Sequence, residues 1–256
     1  MATKAMPDIT CSLYNGKHEA KYFDKSHRYT IDGVRKKSVT GILGVAKETD
    51  ILIMWAVKMA RLYLLEIIES GGMITIGDVL EACTAWRTKR DTAAGLGTQV
   101  HDWIETYVKA QQTGDEEPEL PTDEKVLNGV TGFLSWVGEN DIEFLDSEFI
   151  VYSEKYDYTG KPDAVAKVNG LLTLVDYKTG SVVDWSAHAQ VSAYLEAIAE
   201  EKGKNMFKNR VIVQISKDTG EVTVHDLGME QHELDFKAFL GALAISVCKS
   251  SKPTKK

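Results

Sequence analysis

Cysteine is scarce in this chain, and its spacing excludes more than its number does. The three cysteines, Cys11, Cys83 and Cys248, lie far apart, and no CxxC pair occurs. A zinc or iron–sulfur clamp and a disulfide framework are therefore not expected, and a reducing cytoplasm fits best. A long uninterrupted apolar run is also missing. The stretch from Ile51 to Ile68 comes nearest, but Lys58, Arg61 and Glu66 break it, so it reads as a packed helix and not a membrane span. The N-terminus lacks the basic-then-apolar pattern of a secretion signal. No phosphate loop is present, because GILGVAKE at Gly41 to Glu48 has the wrong spacing. Positive charge is in deficit: the net charge of −8 argues against nucleic-acid binding by bulk charge alone, while leaving room for a local basic groove.

What remains is an ordinary globular balance, 43% hydrophobic and 27% charged over 256 residues. That length suits one large domain or two small ones. One domain over 1–256 is expected, with no internal repeat. Residues 1–25 read as loosely ordered, 26–140 as mainly helical, 141–248 as a mixed α/β core, and 249–256 as a basic tail. Within the helical part, His27 to Val34 reads as a short hairpin around Asp32-Gly33. Helices are expected near Asp50 to Glu69, from Ile76 to Gln112 with a break near Gly95–Gly97, and from Asp123 to Val137. The core reads as strands at Ile142 to Tyr152, Pro162 to Val168 and Leu171 to Lys178. A helix from Asp184 to Glu201, two strands near Arg210 to Ser216 and Glu221 to Asp226, and a last helix near Glu230 to Val247 follow.

The most informative stretch is YTGKPDAVAKVNGLLTLVDYKTG, Tyr158 to Gly180. Asn169-Gly170 is the strongest short-range hairpin cue, since a two-residue turn of this kind needs positive φ at both positions. Such a turn sets Val168 opposite Leu171 and Asp163 opposite Asp176. Two carboxylates about 5 Å apart at Cβ repel unless a cation lies between them. Lys178 projects from the same face as Asp176. The alternating residues of the hairpin are apolar on both faces, which implies helices on both sides. Magnesium suits a site with few protein carboxylates, and a metal held there suits chemistry at a phosphodiester. The carbonyl of Tyr177 is a further candidate ligand. Lys178 is a candidate to orient or deprotonate the attacking water, or to stabilise the transition state. Singly, Asp163 as a turn cap and Lys178 as a snorkelling strand-end residue would be the simpler explanation; the three in register favour a site.

Upstream, Gly97, His101 and Glu105 share one helix face at one-turn spacing. Beside the hairpin acids His101 is favoured as a ligand, and Glu105 is balanced between a ligand and a solvated acid. Glu148 is a candidate further acid, read in a strand before the hairpin, or else an exposed edge residue. Downstream, Gln190 and Tyr194 lie four residues apart on the next helix. They suit phosphate hydrogen bonding or base stacking, or a contact at the core edge. Arg35, Lys36, Lys37, Lys58, Arg61, Arg87, Lys89 and Arg90 are candidates for a basic groove, each weighed against a solvated face.

GKPD followed by VDYK resembles the signature of the PD-(D/E)XK nuclease superfamily, with Asp163 as first acid and Asp176-Tyr177-Lys178 as the DxK. Gly97 and His101 match a GxxxH, and Gln190 and Tyr194 a QxxxY, similar to the RecB-type exonuclease branch. That branch includes phage enzymes and the mitochondrial genome-maintenance exonuclease. SVTGILGV with Trp55 resembles the N-terminal region of phage-encoded members. The likeness covers roughly residues 27 to 200, and four short motifs fall in the right order. It implies a restriction-endonuclease-like fold, a mixed β-sheet flanked by helices. It also implies a Mg2+- or Mn2+-dependent deoxyribonuclease, most simply an exonuclease in phage or bacterial DNA recombination, repair or processing. By the same likeness His101, Asp163 and Asp176 bind metal, Lys178 assists catalysis, and Gln190 and Tyr194 support the site or DNA. DNA is the implied partner, with a recombination or single-strand-binding protein as a further candidate, in a bacterial or phage-infected cytoplasm. Asp176 stands where many members have glutamate, and the iron–sulfur cysteines of some relatives are absent. The rivals are a sequence-specific endonuclease and a non-catalytic DNA-binding or assembly protein on the same scaffold.

Overall fold

Period-two alternation shapes the start of the chain. In the computed structural model, which describes residues 6–203 and 206–251, four short strands come first. They are β1 (Ile9–Leu13), β2 (His18–Phe23), β3 (Arg28–Ile31) and β4 (Val34–Ser38). Each pairs antiparallel with the next. The expected loose order over 1–25 therefore does not hold for residues 9–23. Ala20, Tyr22 and Ile31 point inward onto Leu13, Ile150 and Tyr152, and this alternation is what orders the meander. The Asp32-Gly33 reversal is present, with φ of 51° and 78°.

Helices follow: α1 (Val39–Gly44), α2 (Asp50–Glu69), α3 (Ile76–Thr113) and α4 (Glu124–Glu139). Thr75 and Asp78 form a reciprocal capping box at the start of α3, and Asp123 caps α4. The expected break at Gly95–Gly97 is absent; α3 runs through it. Gly97 serves contact there, since a Cβ at Gly97 would lie 2.7 Å from Thr179 Oγ1.

The core then brings β5 (Ile142–Ser147), β6 (Val151–Ser153), β7 (Tyr158–Gly160), β8 (Ala164–Val168) and β9 (Leu171–Lys178). α5 (Trp185–Lys202), β10 (Asn209–Ile215), β11 (Val222–Asp226) and α6 (His232–Ser250) complete it. The basic tail expected at 249–256 begins inside α6, and residues 252–256 lie outside the described residues. The strand expected over Ile142 to Tyr152 is split at Glu148, whose φ is +53°, so Glu148 lies between two strands and not within one.

Two mixed sheets result, with orders β1-β2-β3-β4-β7-β6 and β11-β10-β9-β8-β5. The second holds the predicted hairpin in register, Val168 opposite Leu171 and Ala164 opposite Val175. Asn169 and Gly170 have φ of 50° and 80°. Asn169 is also pinned to the start of β5, its N–H donating to the Asp141 carbonyl at 2.7 Å. β9 pairs parallel with β10, and the crossover between them is α5. Val165 and Leu174 on one face pack with Val191, Leu195, Ile212 and Phe239. Ala164, Ala166, Val175 and Tyr177 on the other pack with Val100, Ile104, Phe133 and Trp136. Helices thus cover both faces, and the acids emerge at the hairpin's open end, where the apolar ladder stops.

Candidate active site

Asp176 lies near the end of β9, almost fully buried, with Lys178 Nζ 2.5 Å from its Oδ2. Asp163 immediately precedes β8, and its Oδ2 accepts a hydrogen bond of 2.7 Å from the Tyr177 N–H. That bond ties the first acid to the peptide between the second acid and the lysine. His101 reaches in from α3, Nδ1 3.8 Å from the same Asp163 oxygen. Close approach of α3 to the end of β9 depends on the missing Cβ at Gly97. On the other side, Gln190 of α5 donates to Asp176 Oδ1 at 3.2 Å and to the Tyr194 hydroxyl at 3.2 Å. Its carbonyl oxygen lies 3.4 Å from Lys178 Nζ. Asp184 caps α5, accepting from the Ser186 N–H at 2.9 Å, and so fixes the start of the helix that carries Gln190.

Glu148 faces the cleft with its side chain 10% exposed and in close contact with Lys161, so it is not an exposed edge residue. Its N–H donates to the Asp163 carbonyl at 3.2 Å. Glu105 lines the cleft beyond His101 and is paired with Lys109. The Tyr177 ring packs away from the acids, edge-on to Phe133 and Trp136, so that residue offers only its backbone to the site. Tyr194 is 3% exposed, and a Cβ on Gly160 would overlap its ring. Base stacking by Tyr194 is therefore excluded, and it acts as a partner of Gln190. Lys161, Thr179 and Lys217 also line this cleft of about 540 Å3 and were not singled out from the sequence. Lys161 sits inside GKPD and shares a strand-period face with Asp163, a signal that was available. Lys217 lies after β10 and had no local signal.

Burial sets the proton affinities. It pushes Asp176 up to about 6, against the pull of Lys178. It raises Asp163 as well. Burial and then Asp163 push Glu148 up to about 8. Burial and the Lys178 ammonium push His101 down to about 4, although 31% of its side chain still faces the cleft. Its imidazole is thus neutral at neutral pH, the form that ligates metals. Burial disfavours the Lys178 ammonium, but Asp176 and Asp163 outweigh it and hold the pKa above the usual lysine value.

The sequence pattern of the PD-(D/E)XK nuclease superfamily matches residues 79–244, a span containing every one of these acids and Lys178. The chain belongs to the PD-(D/E)XK nuclease superfamily. This nuclease matches no curated protein sequence. It is similar to the solved structure of LHK-Exo in complex with dAMP, at 14% identity and a TM-score of 0.25. That match covers 62% of this nuclease and 94% of the other chain.

Nucleases of this superfamily generally use divalent metal ions. Asp176 Oδ2 and Glu148 Oε2 are buried and lack a hydrogen-bond partner, each facing an ammonium without hydrogen-bond geometry. Buried carboxylate oxygens whose facing group is a cation are the kind of hard donor a divalent ion takes. Among the described residues no three His, Cys, Asp or Glu side chains converge as a preformed cage. A hard cation that takes one or two carboxylates and keeps several waters needs none, so the donor set fits magnesium. Asp163, Asp176 and the Tyr177 carbonyl are the candidate ligands, with His101 beside them.

Proposed function

We propose that this nuclease is a Mg2+- or Mn2+-dependent deoxyribonuclease that degrades DNA from an end, of the RecB-type exonuclease branch. The observation that supports it best is the closed set of contacts joining Asp163, the Tyr177 N–H, Asp176, Lys178 and Gln190. A divalent ion held by Asp163 and Asp176 would acidify a water for attack and offset charge on the phosphoryl oxygens. The chain's own groups do the rest. Gln190 fixes the carboxylate plane of Asp176 through Oδ1, while Oδ2 faces the Lys178 ammonium. Asp163 is aimed by the Tyr177 N–H. Lys178 enters as an ammonium, because the two acids hold its proton. Its role is to stabilise charge that develops on the phosphoryl group, in preference to acting as a general base. His101 stays neutral and adds a nitrogen donor on the α3 side.

Phage or bacterial DNA recombination, repair or processing in the cytoplasm is the setting that the motif order favours, with a recombination or single-strand-binding protein as the expected partner. Digestion of linear and covalently closed circular DNA in magnesium, manganese or chelator tests the assignment. Linear DNA should shorten progressively and circular DNA should survive. Discrete fragments from the circle would point to a sequence-specific endonuclease. DNA binding without turnover of either form would point to a non-catalytic binding or assembly protein.

A further inference from the structure

A second concavity, of about 470 Å3, opens where the β3–β4 hairpin meets α6. His27, Arg28, Arg35, Lys36, Lys37 and Ser38 line it, and no carboxylate does. In a chain of net charge −8 this is a marked local excess of cations. Lys36 is balanced in part by Asp157, 2.6 Å from its Nζ. Arg28, Arg35 and Lys37 have no carboxylate at ion-pair distance among the described residues. Lys37 Nζ donates instead to the Ser246 carbonyl at 2.9 Å and to the hydroxyls of Ser246 and Ser250. These neutral acceptors fix its position without cancelling its charge. The Arg28 guanidinium stacks 4.2 Å from the Phe23 ring centroid, and its buried Nε has no hydrogen-bond partner. An unpaired, buried donor of this kind is costly unless an acceptor arrives. Guanidinium forks beside a point-charge ammonium are the recurring means of holding a phosphate diester.

The pocket adjoins the catalytic cleft. His27 lines both, and its Nδ1 lies 3.0 Å from the hydroxyl of Tyr22, a cleft residue. Lys37 pairs with Tyr158 across β4 and β7, and the chain runs from β7 directly into Lys161 and Asp163. We propose that this pocket binds a backbone phosphate of the same nucleic-acid strand whose scissile bond lies in the cleft, giving the strand a second point of attachment. The proposal rests on the nuclease reading above, and its test separates the two.

The test is fluorescence anisotropy with a labelled oligodeoxynucleotide of about 20 nucleotides in chelator, at salt between about 50 and 200 mM. Wild type is compared with Arg35→Gln and with the double variant Arg28→Gln/Arg35→Gln. The double variant should bind about tenfold more weakly, with the slope of log affinity against log salt reduced by about 1. Arg35 is exposed, so Arg35→Gln keeps the test alive if the Arg28 change unfolds the protein. It should lose affinity and salt slope in the same sense. Unchanged affinity and slope in the folded variants overturn the proposal. Loss of inorganic-phosphate binding, followed by calorimetry, with oligonucleotide binding intact also overturns it, since the pocket would then serve a free anion. Pocket-dependent binding by a wild type that cleaves no DNA in magnesium or manganese keeps the proposal and overturns the catalytic reading. Cleavage by wild type, with variants that bind and cleave like it, overturns the pocket alone. A wild type that neither binds nor cleaves overturns both.

Discussion

Replacing Lys178 with methionine removes the ammonium 2.5 Å from Asp176 while keeping a stem of similar length. Loss of a positioned charge-stabilising group at a reacting centre costs about 2.7–4 kcal/mol. Lys178→Met should therefore cut DNA cleavage by at least about 100-fold, with an unchanged circular dichroism spectrum. Cleavage within tenfold of wild type would make Lys178 a spectator. Glu148 gives a prediction of a different kind. Its folded-state pKa is raised from the ordinary glutamate value to about 8. The folded protein then keeps a proton that the unfolded chain gives up, so this stabilisation is present at low pH and lost as pH rises through about 8. Below about pH 6.5 the depressed His101 and the raised Asp176 act with opposite sign and obscure it. Between about pH 6.5 and 8.5, in chelator, the melting temperature of wild type should fall. In Glu148→Gln that fall should be smaller, and an equally steep fall would contradict the burial argument. Little of this was legible in the sequence. The acids and Lys178 could be read because a two-residue turn fixes their register. The left-handed backbone at Glu148 and its contact with Lys161 could not, since both arise where two sheets part company.

Gly95 and Gly97 occupy the same unbroken helix, and their surroundings differ. A Cβ at Gly95 meets nothing within 4 Å, whereas one at Gly97 meets Thr179 Oγ1 at 2.7 Å. Gly95→Ala should stabilise the protein by about 1 kcal/mol through helix propensity alone. Gly97→Ala should lose that gain and displace α3 from the end of β9, lowering cleavage more than thermal stability. Parallel measurement of melting temperature and cleavage rate checks the pair, and equal effects of the two substitutions would refute the close-approach role. Gly160→Ala sets a Cβ 2.3 Å from Tyr194 Cε1. Overpacking of this kind costs about 1–3 kcal/mol and should appear as a lower melting temperature. Element ends with side-chain signals were legible: Asn169-Gly170 gave the hairpin, and Asp184 the start of α5. The strands β1 and β2 were not, although Ile9, Cys11 and Leu13 alternate, as do Ala20 and Tyr22, because each run is short and closely bounded by polar residues. The glycines of α3 read as a break because sequence does not distinguish a glycine that loosens a helix from one that lets it touch a neighbour.

Two sheets meet where the chain passes from β7 to β8, and the candidate site forms along that passage. The parallel pair of β4 with β7, Lys37 beside Tyr158, joins segments far apart in sequence. Long-range pairing leaves no local pattern, so the joining of β4 to β7 was not legible in the sequence, whereas the Asp32-Gly33 reversal, the cations Arg35, Lys36 and Lys37, and the helix-covered hairpin were. No helix among the described residues is long and apolar enough to cross a membrane. The most direct trial of the whole scheme is a cleavage time course on end-labelled DNA, with magnesium, manganese or chelator, using wild type and Asp176→Asn side by side. Metal-dependent release of nucleotides by wild type, silenced by chelator and lost in a folded Asp176→Asn protein, is the expected result. Undiminished cleavage by Asp176→Asn, or none by wild type with either metal, would contradict it.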